Sequence, residues 1–243
     1  FNIVAGVSAG TIIGNIAWGL GYVGQPHIIT RFMALRSPSE AKAARRTGTI
    51  WVAICYLGGI FTALVATVYF SQKSASVTDQ SGYETVFLDL ARLMFHPLIA
   101  GIVLTAVLAA IMSTMSSQLL VTSSALIEDI YRIFKKNPNN TTLLVLSRAM
   151  VIGVALIGML LALNPSDTIL GLVGFAWAGF GSAFGPVVVA SLYWKRLTSQ
   201  GAIAGMIVGA VTSFVWGSVD ALNGIIYEIV PGVILATLAM VIV

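Results

Sequence analysis

The sequence predicts an all-α polytopic membrane protein, a single transmembrane domain over residues 1–243 that crosses the bilayer seven times. Three observations carry this fold class. Only thirteen Lys and Arg and nine Asp and Glu occur among 243 residues, about a third of the roughly 25% charged content of a soluble domain. Hydrophobic residues make up 58% of the chain, and the mean hydropathy is +0.95. Apolar runs of roughly 18 residues or more, enough to cross about 30 Å of hydrocarbon as a helix, recur seven times. A water-soluble globule and a disordered chain are both excluded. A nucleic-acid partner is not expected either, because the basic residues sit in short clusters rather than along one face. Cys55 is the single cysteine, which excludes an intrachain disulfide and a cysteine metal site. The chain opens on Phe1 inside an apolar stretch, without an initiator Met or a signal-type n-region, and reads as a fragment of something longer.

The first element, 1–33, combines two glycine patterns. Gly6, Gly10 and Gly14 follow at four-residue steps, a small-xxx-small spacing that lets helix backbones approach closely. Trp18-Gly19-Leu20-Gly21-Tyr22-Val23-Gly24-Gln25-Pro26 then packs three glycines and a proline into nine residues. Proline removes a backbone donor and clashes with the preceding turn, and glycine weakens the helix around it. The segment reads either as a plain proline kink near the cytoplasmic end or as a broken helix. Breaks at membrane depth are tolerated only where protein or a water-filled cavity surrounds them. In secondary transporters they are where freed carbonyls take cations and half-helix N-termini take anionic groups.

A helix over 47–71 follows. Residues 83–95 differ in kind: Val86, Phe87, Leu90, Leu93 and Met94 recur at helical spacing with Glu84, Asp89 and Arg92 between them, the pattern of a short amphipathic helix on the external surface. The helix over 97–127 carries Ser113, Thr114, Ser116, Ser117 and Gln118 near the middle of its apolar run. Hydroxyls can bond their own helix carbonyls, so this cluster is consistent with interhelical hydrogen bonding. It is also consistent with a site for a hard cation such as sodium, which takes oxygen ligands. Ser113, Thr114 and the Ala110 carbonyl one turn earlier would offer three oxygens to one side of it. Helices over 143–163 and 168–193 follow, and then 201–218, where Gly201, Gly205 and Gly209 repeat the four-residue step. The last helix is 222–243.

Basic residues set the orientation, because cytoplasmic loops retain Lys and Arg. Arg31, Arg36, Lys42, Arg45 and Arg46 follow the first span, Arg132, Lys135, Lys136 and Arg148 the third, and Lys195 and Arg196 the fifth. The other loops hold only Lys73 and Arg92, beside Asp79, Glu84, Asp89, Asp167, Asp220 and Glu228. The chain therefore starts outside and ends in the cytoplasm. These clusters read as ordinary topology signals rather than as lipid- or nucleic-acid-binding patches. The sequence has no HExxH, no Walker loop and no intramembrane pair of carboxylates, so no enzyme is expected. His27 and His96, each beside a proline and far apart in sequence, read as interfacial or capping histidines.

WGLGYVGQPHI at Trp18 to Ile28, the run AAIMSTMSSQLL, the segment from Asn164 to Pro186 and the stretch WKRLTSQGAIAGMIVGA together resemble the sodium:solute symporter family, and within it the proline-transporting members. The resemblance covers nearly the whole chain. It implies a five-plus-five inverted-repeat fold, with this chain as the second five-helix repeat plus two C-terminal helices. On that map 1–33 is the broken substrate-binding helix, 97–127 the sodium-site helix and 83–95 part of the external gate. Trp18, Tyr22, Gln25 and Pro26 would line or shape a proline pocket, with aromatic faces against the pyrrolidine ring. Ala110, Ser113 and Thr114 would bind sodium. The implied activity is sodium-coupled uptake of L-proline by alternating access in the cell inner (plasma) membrane. Further ligands would come from an N-terminal repeat absent from this chain. Two alternatives stay open: a symporter for another small organic solute, and a transporter-like sensor, which a soluble domain encoded after Val243 would favour.

Overall fold

The computed structural model describes residues 6–72, 80–135, 139–163 and 168–243. Phe1, Lys73, Asp79, Lys136, Asn164 and Asp167, all used above, lie outside these stretches. Among the described residues every regular element is helical. The order is α1 (Ala9–Gly21), a single 3-10 turn (Tyr22–Gly24), α2 (Pro26–Met33), α3 (Pro38–Gln72), α4 (Gln80–Met94) and α5 (Pro97–Ser124). A π-helical turn (Ala125–Tyr131) leads into α6 (Arg132–Phe134), then α7 (Asn140–Ala162), α8 (Ile169–Tyr193), α9 (Ser199–Ser218), α10 (Asp220–Asn223) and α11 (Ile229–Ile242). Among the described residues, five helices are long and apolar enough to cross a membrane: α3, α5 with its continuation to Phe134, α7, α8 and α9.

Local chemistry explains where these elements begin and end. Ser8 caps α1 by accepting the Thr11 N–H at 3.1 Å, and Thr198 caps α9 by accepting the Gly201 N–H at 2.9 Å; each satisfies an orphan donor of a first turn. α3 has 35 residues, about 52 Å of helix, and starts some ten residues ahead of the apolar run. Pro38 suits a first helical turn, and the Ala, Lys, Glu and Arg residues that follow are strong helix formers. The apolar stretch over 222–243 is divided in two. Asn223-Gly224 ends α10, and Pro231 sits in the first turn of α11, where a missing N–H costs nothing. α11 has 14 residues, about 21 Å, shorter than the hydrocarbon thickness.

The chain forms two units, one from the N-terminal segment through Ala34 together with Ile169–Val243, the other within Leu35–Thr168. In the first, α8, α9 and α11 pack on one another and α1 lies against α8 and α11. Small residues set these contacts. The Ser182 and Ser213 hydroxyls pair at 2.8 Å in the buried centre, and a Cβ on Gly232 of α11 would stand 2.8 Å from the Ser213 oxygen. Pro186 lies inside α8 and offers no N–H to the carbonyl four residues back, that of Ser182. Gly209 of α9 faces that carbonyl so closely that a Cβ would run into it.

In the second unit α5 packs along α7, and α4 lies against α3 and α5. Leu90 and Ala91 of α4 are buried, whereas Phe87, Leu93 and Met94 are exposed. His96 caps α5, its Nδ1 accepting the Leu98 N–H at 3.4 Å. Asn139 caps α7 through the Thr141 N–H at 3.3 Å. An exposed ion pair, Arg132 to Glu128 at 2.7 Å, bridges the π turn and α6.

Gly209→Val forces either α9 or the Ser182 carbonyl to move, and overpacking of this kind costs about 1–3 kcal/mol. Thermal unfolding in detergent should show a lowered midpoint for this variant. Gly179→Ala, on α8 with open space around it, should leave the midpoint unchanged.

Candidate functional site

Around Tyr22–Gln25 the first helix of the chain stops and restarts. α1 ends at Gly21, the next three residues make one 3-10 turn, and Gln25 is extended at φ −85° and ψ 115° before Pro26 opens α2. The residue ahead of a proline is pushed towards extended backbone, which fixes where the interruption falls. The Gln25 carbonyl accepts the N–H groups of Ile28 and Ile29, each at 3.0 Å, and so begins α2.

This interruption lies backbone to backbone on α8. A Cβ on Gly24 would stand 2.7 Å from the Gly181 Cα, and a Cβ on Gly181 would stand 2.8 Å from the Gly21 Cα. Both are closer than side-chain carbons pack, so only glycine fits at these crossing points.

An aromatic cluster surrounds the crossing. Trp18 of α1 stacks on Trp177 of α8 with ring centroids 5.4 Å apart and planes at 13°, and on Tyr227 at 5.9 Å and 13°. Tyr22 meets Trp177 edge to face at 4.8 Å and 84°. The Trp177 indole N–H donates to the Trp18 carbonyl at 2.9 Å, and the Trp177 carbonyl accepts the Gln25 side-chain amide at 3.2 Å. Tyr227 donates its hydroxyl to the Gly174 carbonyl at 2.6 Å. Tyr22 remains 44% exposed, whereas Gln25 is 4% exposed. A cavity of about 240 Å³ is lined by Trp18 and Tyr227 with Thr11 and Asn15. An apolar cavity of about 480 Å³ lies between Leu20 and Val23 at the break and Pro186, Trp194 and Val233.

Three of the four residues singled out for a substrate pocket, Trp18, Tyr22 and Gln25, thus converge on Trp177. Pro26 enters as the first residue of α2, outside the ring cluster. Trp177 and Tyr227 were not singled out from the sequence. A signal existed in the small residues Gly174, Ala178, Gly181 and Gly185, all buried on α8, whose three- and four-residue steps mark the helix face from which Trp177 departs by one position.

Ala110, Ser113 and Thr114 lie in the other unit, on one turn of α5, and all three are exposed. The Thr114 hydroxyl donates to the Ala110 carbonyl at 3.2 Å, and the Ser117 hydroxyl donates to the Ser113 carbonyl at 3.0 Å. A donating hydroxyl and an accepting carbonyl each keep oxygen lone pairs. Two oxygens 3.2 Å apart suit one cation that binds oxygen at about 2.3–2.6 Å, as calcium does. These groups are oxygens, the ligand type a hard cation takes.

A model of the sodium:solute symporter family matches residues 5–209. The chain is 49% identical to the high-affinity proline transporter PutP of Bacillus subtilis (strain 168), over 96% of this chain and 48% of that protein. It is 48% identical to the osmoregulated proline transporter OpuE of the same strain, over 100% of this chain and 49% of that protein. To the sodium/proline symporter of Escherichia coli (strain K12) it is 45% identical, over 99% of this chain and 48% of that protein. The chain spans about half the length of these relatives. No solved structure matches it.

Trp18→Ala removes two ring contacts at once, each worth about 0.5–1.5 kcal/mol beyond the area it buries. Unfolding in detergent should register a loss of about 1–3 kcal/mol on that basis, and Trp18→Phe should recover most of it.

Proposed function

Because the chain belongs to the sodium:solute symporter family, we propose that it serves sodium-coupled secondary active uptake of L-proline by alternating access. One observation carries the reading: a helix interruption ringed by Trp18, Tyr22 and Trp177 in a chain 49% identical to a high-affinity proline transporter. The exposed part of Tyr22 offers apolar surface to the pyrrolidine ring, backed by Trp18, whose ring is stacked on Trp177 and Tyr227. The interruption supplies backbone carbonyls and the start of α2, whose N–H groups and dipole favour the substrate carboxylate. Gln25 and Pro26 shape this pocket rather than contact the ring.

Sodium travels as the co-transported ion and binds to oxygens of the Ala110 carbonyl and the Ser113 and Thr114 hydroxyls. The chain acts as the second five-helix repeat of a five-plus-five inverted-repeat transporter, with two C-terminal helices. The interrupted first element and α11 complete seven crossings of the plasma membrane, and the C-terminus faces the cytoplasm, the side that retains Lys and Arg. An N-terminal repeat supplies the remaining ligands; that the chain spans half the length of its relatives supports this.

Sodium bound at α5 stabilises the outward-open form, and proline then favours closure around the interruption. Linkage requires that proline tighten sodium by the factor by which sodium tightens proline. The membrane potential adds about 2.3 kcal/mol per 100 mV for each charge carried inward.

Uptake of labelled proline into vesicles by the full-length transporter tests the reading. Uptake should vanish when choline replaces sodium. Ser113→Ala and Thr114→Ala should each raise the sodium concentration for half-maximal uptake about tenfold, the scale of one lost polar contact, and an unchanged sodium dependence removes these oxygens from the ion site. Tyr22→Ala should raise the KM for proline more than it lowers the amount of transporter in the membrane; wild-type kinetics in this variant argue against a pocket role.

A further inference from the structure

We propose that Trp177 is the positioning residue of the helix interruption, setting the geometry of the pocket that Trp18, Tyr22 and Gln25 form. The inference rests on the transport reading above and assigns a role within it to a residue on a different helix.

Trp177 bonds to both sides of the interruption. Its indole N–H donates to the Trp18 carbonyl at 2.9 Å, in the last turn before the break. Its own carbonyl accepts the Gln25 amide at 3.2 Å, immediately before α2 restarts. Its ring lies flat against Trp18 and presents an edge contact to Tyr22. α1 and α2 could otherwise rotate about the 3-10 turn between them, since glycines weaken both flanks. Two hydrogen bonds from one residue of α8 hold the two half-helices in a single relation. The contact is also close: a Cβ on Gly21 would overlap the Trp177 indole, so the ring has no room to swing towards α1. Gln25 is buried and spends its amide on this tie, which makes it a transmitter of the position of α8 to the start of α2.

Trp177→Phe keeps an aromatic face and removes the N–H. In the full-length transporter this variant should raise the KM for proline about tenfold, the scale of one lost hydrogen bond, with Vmax per transporter molecule changed less than the KM. A merely structural role would lower the number of transporters in the membrane and leave the KM alone. Combined with Tyr22→Ala, the rise in KM should fall short of the product of the two single effects, because the residues act through one arrangement. A readout free of substrate comes from Val23→Cys at the interruption, in a background without other cysteines. Adding Trp177→Phe should speed its labelling by a membrane-permeant maleimide several-fold. If Trp177→Phe does not reach the membrane, Trp177→Tyr, which displaces the donor, is read in the same way. An unchanged KM together with an unchanged labelling rate overturns the proposal, and so do fully multiplicative effects with Tyr22→Ala. Absence of sodium-dependent proline uptake by the unsubstituted transporter overturns the functional reading instead, and the labelling rate alone then decides the role of Trp177.

Discussion

The approach of the first helix to α8 with no side chain between the two backbones is the contact on which the aromatic cluster and the helix interruption depend. Lipid tails are as apolar as leucine, so hydrophobic burial does little to pull membrane helices together; close van der Waals packing and a few polar contacts must do it. Gly21, Gly24 and Gly181 provide the surface for this. Once the backbones touch there, Trp177 on one side and Trp18 and Tyr22 on the other are brought within ring-contact distance, and the interruption comes to rest on a fixed helix. A larger residue at any of the three glycines would separate the aromatic cluster as well as the helices.

The polar groups of this protein are mostly neutral, and their bonding shows why composition alone cannot mark a site. Thr62, Thr67, Thr105, Thr114 and Thr237 all return their hydroxyls to the carbonyl four residues back. That bond makes threonine cheap to carry in a helix. Thr114 is therefore ordinary in its hydrogen bonding and distinctive only in its neighbours, since Ser113, Ser116, Ser117 and Gln118 crowd the same two turns. Ser213 and Ser182 make the contrasting case, two buried hydroxyls on different helices that satisfy each other and take part in packing.

Local features were legible in the sequence, and contacts between distant segments were not. The glycines and proline between Trp18 and Pro26 pointed to a weak place in the helix, because the cost of those residues is local and needs no partner. The helical start of α3 was missed because the apolar run begins later, although Ala, Glu, Lys and Arg between Pro38 and Arg46 favour helix whatever lies around them. The division of the last apolar stretch was legible in Asn223-Gly224, Glu228 and Pro231, turn and polar residues that a count of apolar residues over 222–243 passes over. Trp177 is 159 residues from Trp18, and no periodicity in either segment indicates that they meet. For the candidate site, the residue types at the interruption and on α5 could be read from the chain, whereas the partner that gathers Trp18, Tyr22 and Gln25 required the fold.

The first unit is discontinuous: its opening helices and α8 are separated by the whole of Leu35–Thr168. During synthesis the interrupted helix therefore leaves the ribosome long before the surface it packs against. At about 5–20 residues per second, the 152-residue separation of Gln25 and Trp177 corresponds to roughly eight to thirty seconds. For that interval the polar backbone of the break has neither Gly181 nor Trp177 to rest on. The nascent chain must shelter it in some other way, through the insertion machinery, through water at the membrane surface or by a temporarily unbroken helix. A substitution that makes this segment a better helix would then ease its insertion and harm the finished protein, so that yield and activity would move in opposite directions.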